Sequence, residues 1–132
     1  MDAFEDIVSS ITKKTGQQIE KQDQNLEFVG IGGSMSSEGV INFETLSFNV
    51  KRKLSRDEGI ALISKIVEVY KRNIYSEKKM ALYLEKHSFN FKDLQINLFV
   101  FDCNGDEVLH PDFKFISLHK GFFRFTRINE KE

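Results

Sequence analysis

The sequence has little that could staple, break or steer it by charge. Cys103 is the single cysteine among 132 residues, so an intrachain disulfide is impossible and the fold cannot depend on one. Pro111 is the single proline, and no proline-rich or serine-rich linker divides the chain. One domain spanning residues 1–132 is expected, long enough to bury a core without covalent help. Tryptophan is absent, and 13 phenylalanines carry most of the aromatic mass. An excess of one charge is missing too, with 19 basic against 20 acidic residues and a net charge of −1. General nucleic-acid binders carry a basic excess that displaces counterions, so no nucleic-acid partner is expected. No run approaches the roughly 20 apolar residues of a membrane span. The opening MDAFEDIVSS lacks the basic and apolar regions of a signal peptide. As written the chain reads as cytoplasmic; with an upstream segment it would read as exported or lipid-anchored.

What is present is strong periodicity. Phe4, Ile7, Val8, Ile11 and Ile19 share one helical stripe, with Asp2 and Glu5 spaced as a capping box. A helix over 2–21 is expected, fraying near Gly16. Residues 25–32 and 40–52 read as strands, the second with a change of face near Glu44 that suggests a bulge. LSRDEGIALISKIVEVYKRNI is the clearest helix. Ser55 and Glu58 form its capping box, Ile60, Ile63, Ile66, Val67, Tyr70 and Ile74 its buried stripe, and Lys71 and Arg72 favour its last turn. A shorter helix follows from Ser76. Residues 91–109 read as a strand, a turn at Asn104-Gly105 and a further short strand. FKFISLHKGFFRFTRI gives two strands around Lys120-Gly121. The expected fold is α+β in the order α-β-β-α-α-β-β-β, a mainly antiparallel sheet packed against helices.

Motifs that carry chemistry are sparse. FVGIGGSMSSEGVINF holds four glycines, and a phosphate cradle would need a helix immediately after them. Strand-like alternation follows instead, with no Lys-Ser or Lys-Thr, so the segment reads as a chain-reversing loop able to serve as a contact element. Gly30 reads as a bulge or a close-packing point. Asp102, Asn104 and Asp106 imitate the start of a calcium loop, but Glu107 and Phe113 stand where glycine and glutamate are needed. KGFFRFTR matches the opening of an RNA-recognition strand at Lys120, Gly121 and Phe122, and departs from it after that. His87, His110 and His119 lack metal spacing, and nothing brings them to Cys103 and Asp102 as a nucleophilic set. No catalytic residue, metal or cofactor is assigned. Lys51, Arg52, Lys53 and Arg56 form a basic corner, either an anion patch or simply solvated.

The informative oddity is apolar surface on both parities of the later strands. Leu94, Ile96, Leu98 and Val100 face one way; Gln95 and Asn97 face the other, where Phe99 and Phe101 follow. The final strand sets Phe123 and Phe125 against Phe122 and Ile128. Burying one such ring is worth about 2 kcal/mol, so the second face needs a cover. The first helix is the expected one; a protein partner, a homodimer mate or a bound apolar ligand would serve as well. Gly32, Gly33, Met35, Phe99, Phe101, Phe123 and Phe125 are the candidate contact surface. The expected function is a non-enzymatic protein-interaction domain. The alternatives are a carrier with an apolar cavity lined by Phe99, Phe101 and Phe125, and a cytosolic chaperone-like or immunity-like binder.

YLEKHSFNFKDLQINLFVFDCNGDEVLHPDFKFISLHKGFFRFTR, through Tyr83-Leu84, Phe89, Asn104-Gly105, Pro111 and Lys120-Gly121, resembles the second half of certain small bacterial proteins of unassigned activity, lipoprotein candidates among them. The resemblance implies export and membrane tethering, although this sequence carries neither a signal peptide nor a lipidated cysteine. It transfers no catalytic residue.

Overall fold

A computed structural model describes residues 4–35, 41–86, 92 and 94–128. Helix α1 (Phe4–Gln22) leads through a turn at Asp23–Asn25 into strands β1 (Leu26–Met35) and β2 (Ile41–Lys51). Helix α2 (Arg56–Ser76), a 3₁₀ turn at Lys78–Met80 and the short helix α3 (Ala81–Lys86) follow. Strands β3 (Gln95–Phe101), β4 (Phe113–His119) and β5 (Phe122–Arg127) complete the chain. The element order is the one the periodicities predict: α+β, with a five-stranded sheet in the order β1-β2-β3-β4-β5. The β2–β3 pair is parallel and every other pair antiparallel. A parallel pair needs a long crossover, and α2 with α3 supplies it.

Register decides which side chains meet the helices. Leu46, Phe48 and Val50 lie beside Ile96, Leu98 and Val100, and Leu98 lies beside Ile116. All seven are buried in one cluster with Val8, Ile11 and Ile19 of α1 and Ile63, Ile66, Tyr70 and Ile74 of α2. Both long helices therefore cover the same face of the sheet. The expectation that α1 covers the second face is overturned. Phe28 on β1 and Phe48 on β2 meet as tilted rings with centroids 5.5 Å apart, and the Phe28 ring lies directly over Gly16 of α1. With that ring as its partner α1 is drawn to the same side as α2.

Gly16 does not fray the helix. It is buried in mid-helix, where an added Cβ would overlap the Phe28 ring, so its value is close approach of helix to strand. Where α1 meets α2 the contact is polar as well as apolar. The Thr12 hydroxyl lies 2.8 Å from the Tyr70 hydroxyl, and Asn73 Nδ2 donates to Thr15 Oγ1 at 2.8 Å and Gln18 Oε1 at 2.7 Å. Thr12 and Thr15 also donate back to Val8 and Ile11 carbonyls, which satisfies both buried hydroxyls.

The capping box at Ser55 and Glu58 forms as expected. Its hydrogen bonds from Ser55 hold the exposed Glu58 carboxyl below the usual range. Helix α2 runs on to Ser76, so Lys71 and Arg72 fall short of its last turn. The Asn104-Gly105 turn differs from expectation: only Gly105 has a positive φ, at 84°. Asp102 organises this turn, its Oδ1 accepting from the N–H groups of Asn104 and Asp106 at 2.9 Å each. The tight two-residue hairpin with both φ angles positive is Lys120-Gly121, at 51° and 82°. The expected strand near 106–109 reduces to a single bridge between Phe101 and Glu107. The Asp2–Glu5 box reaches beyond the described residues.

Candidate functional site

Strand alternation turns Thr45, Ser47 and Asn49 of β2, Gln95, Asn97, Phe99 and Phe101 of β3, and Phe115, Ser117 and His119 of β4 away from the helices. Arg124 and Phe122 join them, opposite Ser117 and His119. Among the described residues no helix lies on this face. Its centre is a polar ladder: Gln95 Nε2 donates to Asn97 Oδ1 at 3.0 Å, and Asn97 Nδ2 donates to Ser47 Oγ at 3.2 Å. Beside it runs an aromatic ridge, Phe99 and Phe115, with ring centroids 5.2 Å apart. Phe99 keeps 38% of its surface exposed and Phe122, next to the hairpin, 79%.

Between the ridge and the hairpin lies a basin of about 610 Å³. Gln95, Phe115 and Ser117 line it, together with His119, Lys120, Phe122 and Arg124, and Phe123 stands at its rim. No carboxylate belongs to this lining. Planar aromatic walls, fixed amide and hydroxyl groups and neighbouring cations suit an extended segment with anionic groups better than a wholly apolar molecule.

The other side of β5 is closed by the chain itself at its Phe125 end. A register shift between Phe113 and Phe115 swings Phe113 onto the helix face, where its ring lies 5.2 Å from that of Phe125. Guanidinium groups cap both ends of this pair: Arg56 stands 4.4 Å from the Phe125 centroid, Arg127 4.6 Å from that of Phe113. Gly59 lets α2 settle against Ile116 and Phe125.

The candidate contact residues are thus divided among three places. Phe99 and Phe101 lie on the open face. Phe125 is packed toward α2, and Phe123, its stacking neighbour at 6.4 Å, is 38% exposed beside it at the free edge. Gly32, Gly33 and Met35 lie in β1, at the far edge of the sheet. Four strand spacings, roughly 19 Å, separate that edge from β5. The supposed glycine loop is in fact strand as far as Met35, and no helix opens at Ser34; residues 36–40 lie outside the described residues. The irregularity of this strand falls at Val29, between the Phe28–Phe48 and Gly30–Ser47 pairs, with a second near Met35. Gly30 has open space where a Cβ would stand, so it is no close-packing point. Phe99 and Phe125 point to opposite faces, so they cannot line one cavity with Phe101.

The remaining candidates have local explanations. Arg52 is paired with Asp23, Lys53 with Asp112 at 3.2 Å, and Arg56 with Phe125, which makes three of the four members of the basic corner structural contacts; Lys51 is exposed. The Asp102 carboxylate is occupied by its own turn. Among the described residues no three His, Cys, Asp or Glu side chains gather as a metal site. Cys103 lies past the end of β3 and His119 beside its start, roughly 20 Å apart along the strand. His87 lies outside the described residues. Among the described residues no helix is long and apolar enough to cross a membrane.

The sequence reading missed Gln95, Phe115, Ser117, His119, Lys120, Phe122 and Arg124 as one lining. The period-2 parity of 94–101 and 115–124 was available; what it could not supply was the β3–β4–β5 register that joins them. No protein-family model, curated protein or solved structure matches the chain.

Proposed function

We propose that this chain is a non-enzymatic protein-interaction domain that presents the open sheet face, at its β4–β5 end, to another protein. The observation that carries the reading is the exposure of Phe99 and Phe122 on the open face and of Phe123 at the adjoining edge, all near one basin, while Leu46, Phe48, Ile96, Leu98 and Ile116 on the other face are fully buried. Aromatic anchors beside charged and amide groups are the usual composition of a protein contact. The resemblance of residues 83–127 to lipoprotein candidates supports an encounter outside the cytoplasm, which fractionation of the natural gene product checks.

The test places a photo-crosslinking phenylalanine analogue at Phe122 and, as a control, at Leu82, which is 63% exposed on α3. A discrete partner should be captured from position 122 in the native cell and not from 82. The purified partner should then bind the Phe122→Ser variant at least about tenfold more weakly. Equal capture from both positions, or unchanged affinity, overturns the reading.

A further inference from the structure

We propose that the partner docks as an added β-strand on the free edge of β5, and that its sequence alternates acidic with apolar residues. This deepens the interaction reading above and rests on it. The two edges of the sheet are unlike. Edge β1 carries an extra residue at Val29, which spoils the even spacing a new strand needs, and its register with β2 shifts again between Ser34 and Met35. Edge β5 keeps unbroken register with β4 from Phe122 to Phe125, and among the described residues no strand pairs with its outer side. In a two-residue hairpin the flanking pair, here His119 and Phe122, exchanges both backbone hydrogen bonds. Alternation then turns the N–H and C=O of Phe123 and Phe125 outward, ready to bond an incoming backbone.

Side-chain chemistry around that edge sets the sequence pattern. On the open face an added strand lies beside Phe122 and Arg124, with Lys120 and His119 close by and no carboxylate in the basin. Every second side chain of the newcomer meets cations there, so carboxylates fit. On the helix face the same strand lies beside Phe123 and Phe125, with Phe123 38% exposed, so the alternate side chains are apolar. A second copy of β5 fits poorly, because antiparallel pairing about its centre would bring Arg124 against its counterpart, and like charges across adjacent strands are destabilising. A nucleic acid would use the cations and the Phe99–Phe115 ridge but has no use for the outward backbone groups.

The test is fluorescence polarisation of labelled eight-residue peptides with the full chain. The probes are alternating Glu/Val, the same residues in block order, alternating Lys/Val, and alternating Glu/Val carrying N-methyl groups on every second residue in each of the two phases. A single-stranded RNA twelve-mer is run alongside. Alternating Glu/Val should bind at least about tenfold tighter than the block-order and Lys/Val peptides. One phase of N-methylation should abolish binding and the other spare it. Arg124→Glu, an exposed edge substitution, should reverse the Glu/Val over Lys/Val preference. Equal binding of the block-order peptide, indifference to N-methylation in both phases, tighter RNA binding, or a β5-mediated dimer by light scattering overturns strand addition. If Glu/Val fails while Phe122→Ser still weakens the crosslinked partner, strand addition falls and the interaction reading stands. If position 122 captures nothing, both fall.

Discussion

Leu98 and Phe99 are neighbours in β3, yet one is wholly buried and the other is 38% exposed. The difference is not in their hydrophobicity. It lies in where the helices went: α1 and α2 share one side of the sheet, with Gly16 admitting Phe28 on that side and the Thr12–Tyr70 and Thr15–Asn73 bonds joining the helices there. The covered face then stabilises the fold, and the other is the face proposed for recognition. That division has measurable consequences, and the largest concerns the pair itself. Leu98→Ala leaves a cavity in the buried cluster and should cost about 3 kcal/mol in denaturant unfolding, whereas Phe99→Ala should cost less than about 1 kcal/mol. Equal costs would mean that the second face is covered after all.

The next effect tests why both helices share a side. Gly16→Ala improves helix propensity by about 1 kcal/mol, but the new methyl overlaps the Phe28 ring, whose far side is already against Phe48. Overpacking of this kind costs about 1–3 kcal/mol, so net destabilisation of about 1 kcal/mol is expected by chemical denaturation. Gly59→Ala meets chiefly the Ile116 side chain, whose Cδ1 lies 2.8 Å from the added Cβ and can rotate away, so its net cost should be smaller. A stabilised Gly16→Ala variant would show that the ring yields freely and that the close approach does not fix the position of α1.

Periodicity made the element order legible, because residues such as Ile63, Ile66, Tyr70 and Ile74 advertise a helix and Ile96, Leu98 and Val100 a strand without any tertiary knowledge. The capping box at Ser55 was legible for the same reason: both partners lie within one turn. Relations between distant segments were not. Gly16 reads as a weak point until Phe28 is seen above it. Asn104-Gly105 has the composition of a mirror-image turn, but the Asp102 carboxylate offers the backbone a competing arrangement and wins. The glycines at 30, 32 and 33 read as a loop because glycine weakens strands, whereas pairing with β2 holds every residue of β1 except Val29. The candidate surface suffered most: Phe123 and Phe125 have the right parity to be grouped, yet only the Phe113 register shift and Arg56 show that Phe125 is already covered.

A smaller effect sharpens the contrast at the corner where α1, β1 and β2 meet. Partial burial pushes the Asp23 carboxyl up, but the hydrogen bond from Arg52, the Asn25 N–H and the charges of Arg52 and Lys65 outweigh it. The net direction is below its ordinary 3.8. A carboxyl lowered by folding contributes stability above its unfolded value, and that contribution is lost as pH falls from there through the folded value. Asp23→Asn should therefore cost about 0.5–1 kcal/mol at neutral pH, discounted for the partly exposed Arg52, and the gap to the parent should close below about pH 4. A gap that persists unchanged into acid would assign the loss to the turn geometry at Asn25 instead of to charge.

The smallest effect on stability should come from the residue with the most to do at the proposed contact. Phe122 follows the Lys120-Gly121 turn and keeps 79% of its surface in solvent, so folding gains little from it. Phe122→Ser should change unfolding free energy by no more than about 0.5 kcal/mol. The same substitution removes the outermost aromatic wall of the basin while leaving the Phe99–Phe115 ridge and the outward backbone of β5 intact. If the open face were merely an uncovered remnant of packing, stability and binding would both be indifferent to it. A variant as stable as the parent but deficient in partner binding separates the two roles of the sheet at a single side chain, whereas a loss of stability above about 1 kcal/mol would return Phe122 to the fold and move the contact elsewhere.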